Sequence, residues 1–502
     1  MPGQTQVPAE PAPVTTASNY DTKFFGHPRG LATLFFTEMW ERYSYYGTRA
    51  LLILFMTASV STGGLGFSVV KAGAIYGFYA AMVYLLNLPG GWLADRVIGQ
   101  RRAVLYGGVF ISAGNFCLAA PNVMVFYAGL GLIMIGTGLL KPNVSTIVGQ
   151  LYTAGDKRRD SGFSIFYMGI NLGATFAPLI CGWVAQKFTW RWGFACSGIG
   201  MVAGLIQYSL SGKYLGTAGL NPSTTGDPAR DRAQKRNGAI VAIVLLLLLV
   251  ILASLASAGI IQVTANAISD SLGWLLLVIT VVVFSWMVFG RGWSLEERKR
   301  AVAIFVLFAA AAIFWASFEQ AGSSLNLFAE RNTNLNLFGY QFPAAWFQFV
   351  QPILVIIFAP IFAWIWLALG RRDPSSPTKF SLGLLFAGLA FAILVPAASG
   401  SQVSPLWLVG CYFLQTMGEL CLSPVGLSAM TKLAPARAGG FIMGIWFLAA
   451  SIGNWMAGKA GGMFESMPLP RLFGSVAAIS VIAAVVMALL IRPTKRMMSG
   501  VS

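Results

Sequence analysis

The sequence predicts an all-α integral membrane protein, and two observations carry that prediction. Of its 502 residues, 56% are hydrophobic and only 10% are charged, which is far from the composition of a soluble domain. Apolar runs long enough to cross ~30 Å of hydrocarbon also recur along almost the whole chain. A soluble protein of any class is therefore excluded.

The apolar runs predict fourteen transmembrane helices, separated into two groups by a polar stretch at 212–237. Six runs precede that stretch, near 31–58, 68–93, 101–119, 122–150, 160–182 and 190–211. Eight runs follow it, near 238–263, 271–290, 301–328, 343–370, 379–399, 404–434, 438–462 and 470–492.

The two runs after the polar stretch contain almost no ionisable residue except Asp270 in their turn, which favours an inserted hairpin outside any polar pathway. The remaining runs form two sets of six, the two-bundle layout of major facilitator transporters. GGWLADRVIGQRR, at 90–102, resembles a loop motif of that superfamily. The predicted organisation is a cytoplasmic tail at 1–30, a six-helix bundle at 31–211, a cytoplasmic linker at 212–237, a transmembrane hairpin at 238–290, a second six-helix bundle at 301–492 and a cytoplasmic tail at 493–502.

The net charge of +17 indicates membrane topology, because the basic residues gather in alternate loops. Nucleic acid is therefore not predicted as a partner. By the positive-inside rule, both termini are predicted to be cytoplasmic. The basic groups are Lys23 and Arg29; Arg96, Arg101 and Arg102; Lys157, Arg158 and Arg159; Arg371, Arg372 and Lys379; and Arg492, Lys495 and Arg496.

The first predicted helix carries an unusual polar stripe. Its members recur at the spacing of one helical face and extend over ~16 Å of the axis. An isolated ion at that depth in a bilayer costs several kcal/mol, so the stripe must face protein or water. A structural seam within the bundle is one explanation, and a transport pathway is the favoured one. The stripe consists of Glu38, Glu41, Arg42, Tyr45, Tyr46 and Arg49.

Arg49 and three further ionisable residues predict two salt bridges between the halves. Arg49 and Glu319 lie on the first helices of the two halves, in the second part of each, which predicts a pair near the external side. Lys141 and Glu419 lie on the fourth helices, past their middles, which predicts a pair near the cytoplasm. Two gates at different depths are the minimum that alternating access requires.

Protons are the predicted energy source, because protonating a buried carboxylate releases its cationic partner and loosens a gate. The predicted coupling residues are Glu38, Glu41, Arg42 and Glu319. The chain lacks the phosphate-binding motif G-x-x-x-x-G-K-[ST], so neither ATP nor another cofactor is predicted.

Several motifs resemble those of the proton-coupled oligopeptide transporters of the major facilitator superfamily, in their bacterial form. EMWER at 38–42 looks like the family motif E-x-x-E-R, and FYMGINLGA at 166–174 looks like its second signature. GTGLLKPNVSTIVGQLY carries Lys141, FWASFEQAGS carries Trp315 and Glu319, and GELCLSPVGLS carries Glu419 and Ser423. The resemblance spans nearly the whole chain and includes the inserted helical pair. It implies a multi-pass protein of the bacterial cytoplasmic membrane.

The resemblance also implies an alternating-access symporter that imports di- and tripeptides. Arg49 and Lys141 would hold the peptide carboxylate, and Glu419 and Asn171 would meet the amine. Gln351 stands where many bacterial members carry Asn, and Ser423 is implied as a further contact. Aromatic walls would accept varied side chains, although ordinary packing stays open for two of them, Tyr45 and Trp446. The proposed walls are Tyr45, Tyr46, Tyr84, Tyr167, Trp315 and Trp446.

Two other functions are compatible with a membrane protein of this size. A proton-coupled carrier of another small anionic or drug-like solute would use the same scaffold. A membrane enzyme is disfavoured, because the single histidine, His27, precedes the first helix and is expected at the surface. The five cysteines are interpreted as small hydrophobic residues, and no metal is predicted. The overall prediction is a secondary active transporter that acts as a monomer in lipid.

Overall fold

A computed structural model describes most of the chain and is almost entirely helical. The described residues are 22–153, 156–222, 227, 229, 231–238, 240, 264–435 and 439–498. Predictions for 1–21, 241–263 and 499–502 lie outside them, and these include most of the first hairpin helix and the last tail residues. The strands of the described part are Asn336–Leu337 and Tyr340–Gln341, a small antiparallel hairpin.

The first half of the chain contains six long helices, α1 to α6. Helix α2 continues past a break at Leu86 as Asn87–Leu93 and then as a π-helical turn, Ala94–Ile98. The bounds are Arg29–Thr57 for α1, Val69–Leu85 for α2, Gln100–Leu118 for α3, Val123–Gln150 for α4, Arg159–Lys187 for α5 and Trp190–Ser211 for α6.

The second half contains the described helix of the hairpin, α7, and six further long helices, α8 to α13. Helix α8 continues through a 3-10 turn, Glu319–Gly322, into Ser324–Asn332, and a 3-10 segment, Ala344–Phe349, precedes α9. The bounds are Ala265–Phe289 for α7, Leu295–Phe318 for α8, Val350–Leu369 for α9, Ser376–Ala392 for α10, Leu406–Leu433 for α11, Gly439–Gly462 for α12 and Leu469–Leu489 for α13. Short helices Leu394–Ala397 and Ile491–Met497 follow α10 and α13.

Ten helical spans in the described residues are long and apolar enough to cross a membrane. Three more helices, α1, α3 and α11, contain 29, 19 and 28 residues but are more polar. Helix α1 can be polar because it packs against α5 and α6 inside the protein. The total of fourteen stays a prediction, since the run at 238–263 lies largely outside the described part.

The helices pack as two groups that meet along a few contacts. Within the first group, α3 packs on α4, and α1 packs on α5 and α6. Within the second group, α10 packs on α11 and α13, and α8 packs on α12. The groups meet where α2 packs on α12, where α5 packs on α9, and where α1 meets the continuation of α8.

The glycines at the contact between α2 and α12 allow the helices to approach closely. A Cβ atom added to Gly73 would lie 2.5 Å from the amide nitrogen of Gly462, and one on Gly458 would lie 2.2 Å from Cα of Gly77.

Helix α2 starts on the face of the protein opposite the chain termini, here called the distal face. The face that carries Arg29 and Met497 is called the terminal face.

Helix α7 begins six residues earlier than the run at 271–290 predicts. The hydroxyl of Thr264 accepts a hydrogen bond from the amide of Ala267 and caps the helix, so Asp270 lies within α7 and not in a turn. Asp270 forms an ion pair with Lys459 of α12, which explains how a helix in this position tolerates the charge.

The expectation that His27 is a surface residue is wrong. His27 is only 5% exposed, and its Nδ1 atom lies 2.9 Å from the hydroxyl of Tyr152. Ser161 at the start of α5 lies 3.4 Å from Nε2. Burial lowers the pKa of His27, and the charge of Arg158 acts in the same direction.

Candidate functional site

Charged residues in the first half of α1 form a compact buried cluster. Glu38, Glu41 and Arg42 are 1%, 0% and 2% exposed. Arg42 Nη2 donates to Glu41 at 2.6 Å, a second hydrogen bond joins Arg42 Nε to the same carboxylate, and Glu38 lies 3.5 Å from Arg42 Nε. One guanidinium therefore faces two carboxylates, and Oε2 of Glu38 has no hydrogen-bond partner in the described residues.

Glycines on α5 and α6 explain why the stripe points into the protein. A Cβ on Gly173 of α5 would lie 2.2 Å from the carbonyl oxygen of Met39, and a Cβ on Gly200 of α6 would lie 2.4 Å from the ring of Tyr43. These helices therefore cover the Met39 and Tyr43 sides of α1 closely. The remaining side of α1, which carries the stripe, is left to face the interior between the bundles.

Arg49 and Glu319 join the two bundles near the distal face. Nη2 of Arg49 lies 2.9 Å from Oε2 of Glu319, and both side chains are almost fully buried. Arg49 Nε also donates to the hydroxyl of Tyr76 at 3.2 Å. The structure thus brings together the two residues that occupy equivalent helices of the two halves.

The break at the end of α8 positions Glu319. The amide of Glu319 caps the helix by bonding to the carbonyls of Trp315 and Ser317, and the chain then tightens into the 3-10 turn. Gly322 ends this turn against Arg49 and its partner Tyr76. A Cβ there would lie 1.7 Å from the Tyr76 hydroxyl and 2.9 Å from Arg49 Nε, so the site requires glycine.

The structure does not bring Lys141 and Glu419 together. Lys141 Nζ lies 4.5 Å from the centroid of the Tyr84 ring, and Glu419 accepts a 3.4 Å hydrogen bond from Gln351 Nε2. No ion pair of the described residues includes either one. The bundles are joined through α2–α12 and α5–α9, and these contacts leave α4 and α11 apart. Lys141 and Glu419 are both half-buried, and neither has an ionic partner among the described residues.

The predicted aromatic walls have different surroundings. Arg42 lies 4.9 Å from the ring centroid of Tyr45, and Arg49 lies 5.6 Å from that of Tyr46. Tyr167 is 43% exposed. Trp446 is buried against Gly426, where a Cβ would lie 2.3 Å from its ring, so helix packing explains its position.

The remaining predicted contacts are three polar side chains. Asn171 donates to the carbonyl of Tyr167 in its own helix at 3.1 Å, and it makes no hydrogen bond to Glu419 in the described part. The indole nitrogen of Trp315 and the hydroxyl of Ser423 are buried without a hydrogen-bond partner there. Buried polar atoms are rarely left unpaired, so these two atoms are candidate contacts for a bound solute or water.

Two residues at the distal contact were not predicted from the sequence. Tyr76 holds Arg49, and Asn326 Nδ2 donates across the bundles to the carbonyl oxygen of Ala50 at 2.9 Å. The polar run EQAGSSLN at 319–326, inside an apolar span, is the only sequence signal that singles out Asn326. Tyr76 gives no such signal, because a tyrosine in an apolar helix is ordinary.

No group of metal-ligating side chains occurs within the described ranges, and the five cysteines are unpaired thiols.

Comparison with known sequences places the chain in a family. The model of the POT family matches residues 101–476. An uncharacterized transporter of Bacillus subtilis is 45% identical, with 95% of this chain and 96% of the relative covered. A peptide transporter of Yersinia enterocolitica is 42% identical, with coverage of 95% and 96%. A di-/tripeptide transporter of Lactococcus lactis is 37% identical, with coverage of 95% and 98%.

Solved structures agree with these matches. A crystal structure of a peptide transporter POT with sulfate superimposes with a TM-score of 0.89 at 44% identity, covering 95% of this chain and 97% of that one. A POT family transporter with 5-aminolevulinic acid gives a TM-score of 0.88 at 34% identity, covering 94% and 98%. The predicted fold class, an all-helical membrane protein of the major facilitator type, is confirmed. The chain belongs to the POT family of transporters.

Proposed function

We propose that this protein is a proton-driven symporter that imports di- and tripeptides by alternating access. The observation that carries the proposal is the pair Lys141 and Glu419. These opposite charges are half-buried on different bundles, and neither has an ionic partner among the described residues. Half-buried charges without partners are costly unless a ligand neutralises them, and a peptide zwitterion supplies both complementary charges. The names of the Yersinia and Lactococcus relatives support peptides as the substrate class.

The peptide carboxylate is assigned to Lys141, with Arg49 as a second cation when it is released from Glu319. The peptide amine is assigned to Glu419, which Gln351 holds by a hydrogen bond. Asn171 would have to leave the Tyr167 carbonyl to reach the amine. Tyr46, Tyr84 and Tyr167 give an adaptable wall, because aromatic rings contact many side-chain types without demanding one of them.

The arrangement of charges corresponds to a state closed at the distal face. Arg49 and Glu319 are paired there, whereas the charges predicted to pair nearer the terminal face are not. With the terminal face assigned to the cytoplasm by the positive-inside rule, this is an inward-facing state of a bacterial inner-membrane protein. The protein is proposed to act as a monomer.

Protons are proposed to act on the carboxylates of the two buried clusters. Glu41 and Glu38 share Arg42, and Glu319 holds Arg49. A proton on Glu319 removes the negative partner of Arg49, which frees the guanidinium for the substrate carboxylate and weakens the distal contact. A proton on Glu41 likewise changes the charge balance of the α1 cluster.

The second candidate is a carrier of another small solute that bears an amine and a carboxylate. The structural relative with 5-aminolevulinic acid supports it, because that solute carries the same two end groups without a peptide bond. Competition for uptake between dialanine and 5-aminolevulinic acid distinguishes the candidates, since a peptide carrier prefers the dipeptide.

Uptake into proteoliposomes tests the proposal. Labelled dialanine is expected to accumulate above its external concentration when an inward proton gradient is imposed, and only to equilibrate without one. Vesicles of the same lipid without protein are the control. Equal uptake with and without the gradient would rule out proton-driven peptide import.

A further inference from the structure

We infer that Asn326 is a positioning residue of the distal gate, the contact of Arg49 with Glu319 near the distal face. Asn326 holds Arg49 against Glu319 through a hydrogen bond whose groups do not titrate. The inference rests on the proposed alternating-access function and adds to it a second, charge-free element of the gate. The segment Ser324–Asn332, which continues α8, carries Asn326 to the distal part of α1.

The contact of Asn326 joins the two bundles directly. Its side chain is 1% exposed, and Nδ2 donates to the carbonyl oxygen of Ala50 at 2.9 Å. Ala50 lies inside α1, so its carbonyl already accepts a helical hydrogen bond and uses its second lone pair for Asn326. The other side-chain atom, Oδ1, is buried and has no partner in the described residues. The Nδ2 donor is thus the atom through which this side chain joins the bundles.

Ala50 is the residue after Arg49, and Asn326 lies in the helix that begins directly after the 3-10 turn of Glu319. The same two chain segments are therefore joined twice, once by the Arg49–Glu319 ion pair and once by the Asn326–Ala50 hydrogen bond. The carbonyl of Ala50 belongs to the same helical turn of α1 as Arg49, so holding this carbonyl against Asn326 holds that turn close to Glu319. Loss of the hydrogen bond should therefore loosen the ion pair as well.

Other neutral bonds across the bundles have the same chemistry. Ser451 Oγ donates to the carbonyl of Ala81 at 2.8 Å. The indole nitrogen of Trp346 donates to the carbonyl of Leu179 at 3.0 Å. Gln186 Nε2 donates to the carbonyl of Gln341 at 3.2 Å. In each case a neutral side chain binds a main-chain oxygen, and none of these groups changes charge between pH 5 and 8.

The Asn326–Ala50 hydrogen bond affects the order of events in transport. Protonation of Glu319 removes one of the two links between the segments and leaves the amide link in place. Only a fraction of the molecules should then open at the distal face. A proton alone would therefore not release the gate completely before substrate is exchanged. The amide link therefore adds a contribution to closure of the distal face that does not change with pH.

The test compares two buried asparagines with matched surroundings. Asn454 of α12 is 0% exposed, its Nδ2 donates to the carbonyl of Ala450 at 2.9 Å, and its Oδ1 is also unpartnered in the described part. Its bond stays within one helix, whereas that of Asn326 crosses between bundles. Asn326→Leu and Asn454→Leu therefore lose the same kind of hydrogen bond, and only the first loses a link at the gate.

Distal opening can be followed by the distance between two spin labels in lipid nanodiscs. Cysteines introduced at Val60 and Phe338 lie on exposed turns of the two bundles at the distal face, with the native cysteines replaced by alanine. Asn326→Leu is expected to raise the ratio of open to closed distances about three- to tenfold, the effect of one neutral hydrogen bond. Because an amide does not titrate, a rise should be present at every pH from 5 to 8.

Asn454→Leu is expected to leave the distance distribution unchanged even if it lowers the melting temperature as much as Asn326→Leu. Asn326→Ser, which is too short to reach Ala50, replaces the leucine variant if that one does not fold. Unchanged distances in both Asn326 variants would overturn the inference. If the distances shift as expected but wild-type protein fails to accumulate dialanine, the gate residue stands and the peptide assignment falls.

Discussion

Arg49 Nη2 and Glu319 Oε2 lie 2.9 Å apart and join the first helices of the two bundles at a depth where neither charge meets water. The pair is held on one side by the hydroxyl of Tyr76. Breaking such a pair leaves a buried charge without compensation, which costs about 3–5 kcal/mol. The ionic link between the bundles at the distal face therefore depends on the charge of a single carboxylate.

Glu319→Gln should destabilise this closed state, because the neutral amide cannot compensate Arg49. We expect the free energy of unfolding to fall by about 3 kcal/mol and gradient-driven uptake of dialanine to be lost. Glu330→Gln is the control. Glu330 lies 3.9 Å from Arg331 with about a third of its side chain exposed, so the substitution should cost under about 1 kcal/mol. Equal effects of the two substitutions would contradict the special role of Glu319.

Lys141→Ala should weaken binding of dialanine about tenfold or more, since a hydrogen bond to a charged group contributes about 1.5–3 kcal/mol. The measurement is calorimetric titration with dialanine and with its C-terminal amide. Wild-type protein should prefer the free carboxylate, and the variant should bind both alike. Lys459→Ala, which removes the partner of Asp270 on the hairpin, should retain the preference. A preference that survives in Lys141→Ala removes Lys141 from the carboxylate site.

Glu41→Gln should separate coupling from binding. The carboxylate is fully buried and bonded to Arg42, so its neutral replacement prevents the charge change that a proton would cause. Gradient-driven accumulation of dialanine should disappear, whereas counterflow exchange of labelled for unlabelled dialanine should persist. Concentrative uptake by the variant would exclude Glu41 from the proton pathway.

Gly322→Ala should damage the distal gate by steric overlap. The added methyl would lie 1.7 Å from the Tyr76 hydroxyl, so Tyr76 must leave Arg49. Overpacking of this kind costs about 1–3 kcal/mol, which thermal unfolding in detergent can detect. Gly131→Ala in α4, where no atom lies within 4 Å of the new Cβ, should instead stabilise the protein by up to about 1 kcal/mol.

The sequence predicts the helices and the charged stripe well because both are periodic. Glu38, Glu41 and Arg42 recur on one face of α1, and no lipid-facing position could accept them. The relation between Arg49 and Glu319 could be predicted as well, because equivalent helices of a repeated fold meet at the same depth.

Contacts that involve neutral groups or the main chain could not be predicted in this way. The bond from Asn326 to the Ala50 carbonyl involves no charge, and Tyr76 belongs to an ordinary apolar helix. The separation of Lys141 from Glu419 depends on how the bundles meet, through α2–α12 and α5–α9, which the positions of the two residues along the sequence do not reveal. The early start of α7 depends on the Thr264 cap, which hydropathy alone does not reveal.

The proposed function requires above all that peptide and proton cross the membrane together. Proteoliposomes that contain a pH-sensitive dye and carry an inside-negative membrane potential, with equal pH on both sides, test this directly. Addition of external dialanine should acidify the lumen of wild-type vesicles and should not acidify vesicles that contain Glu41→Gln. Entry of labelled dialanine into wild-type vesicles without any change in luminal pH would contradict the account.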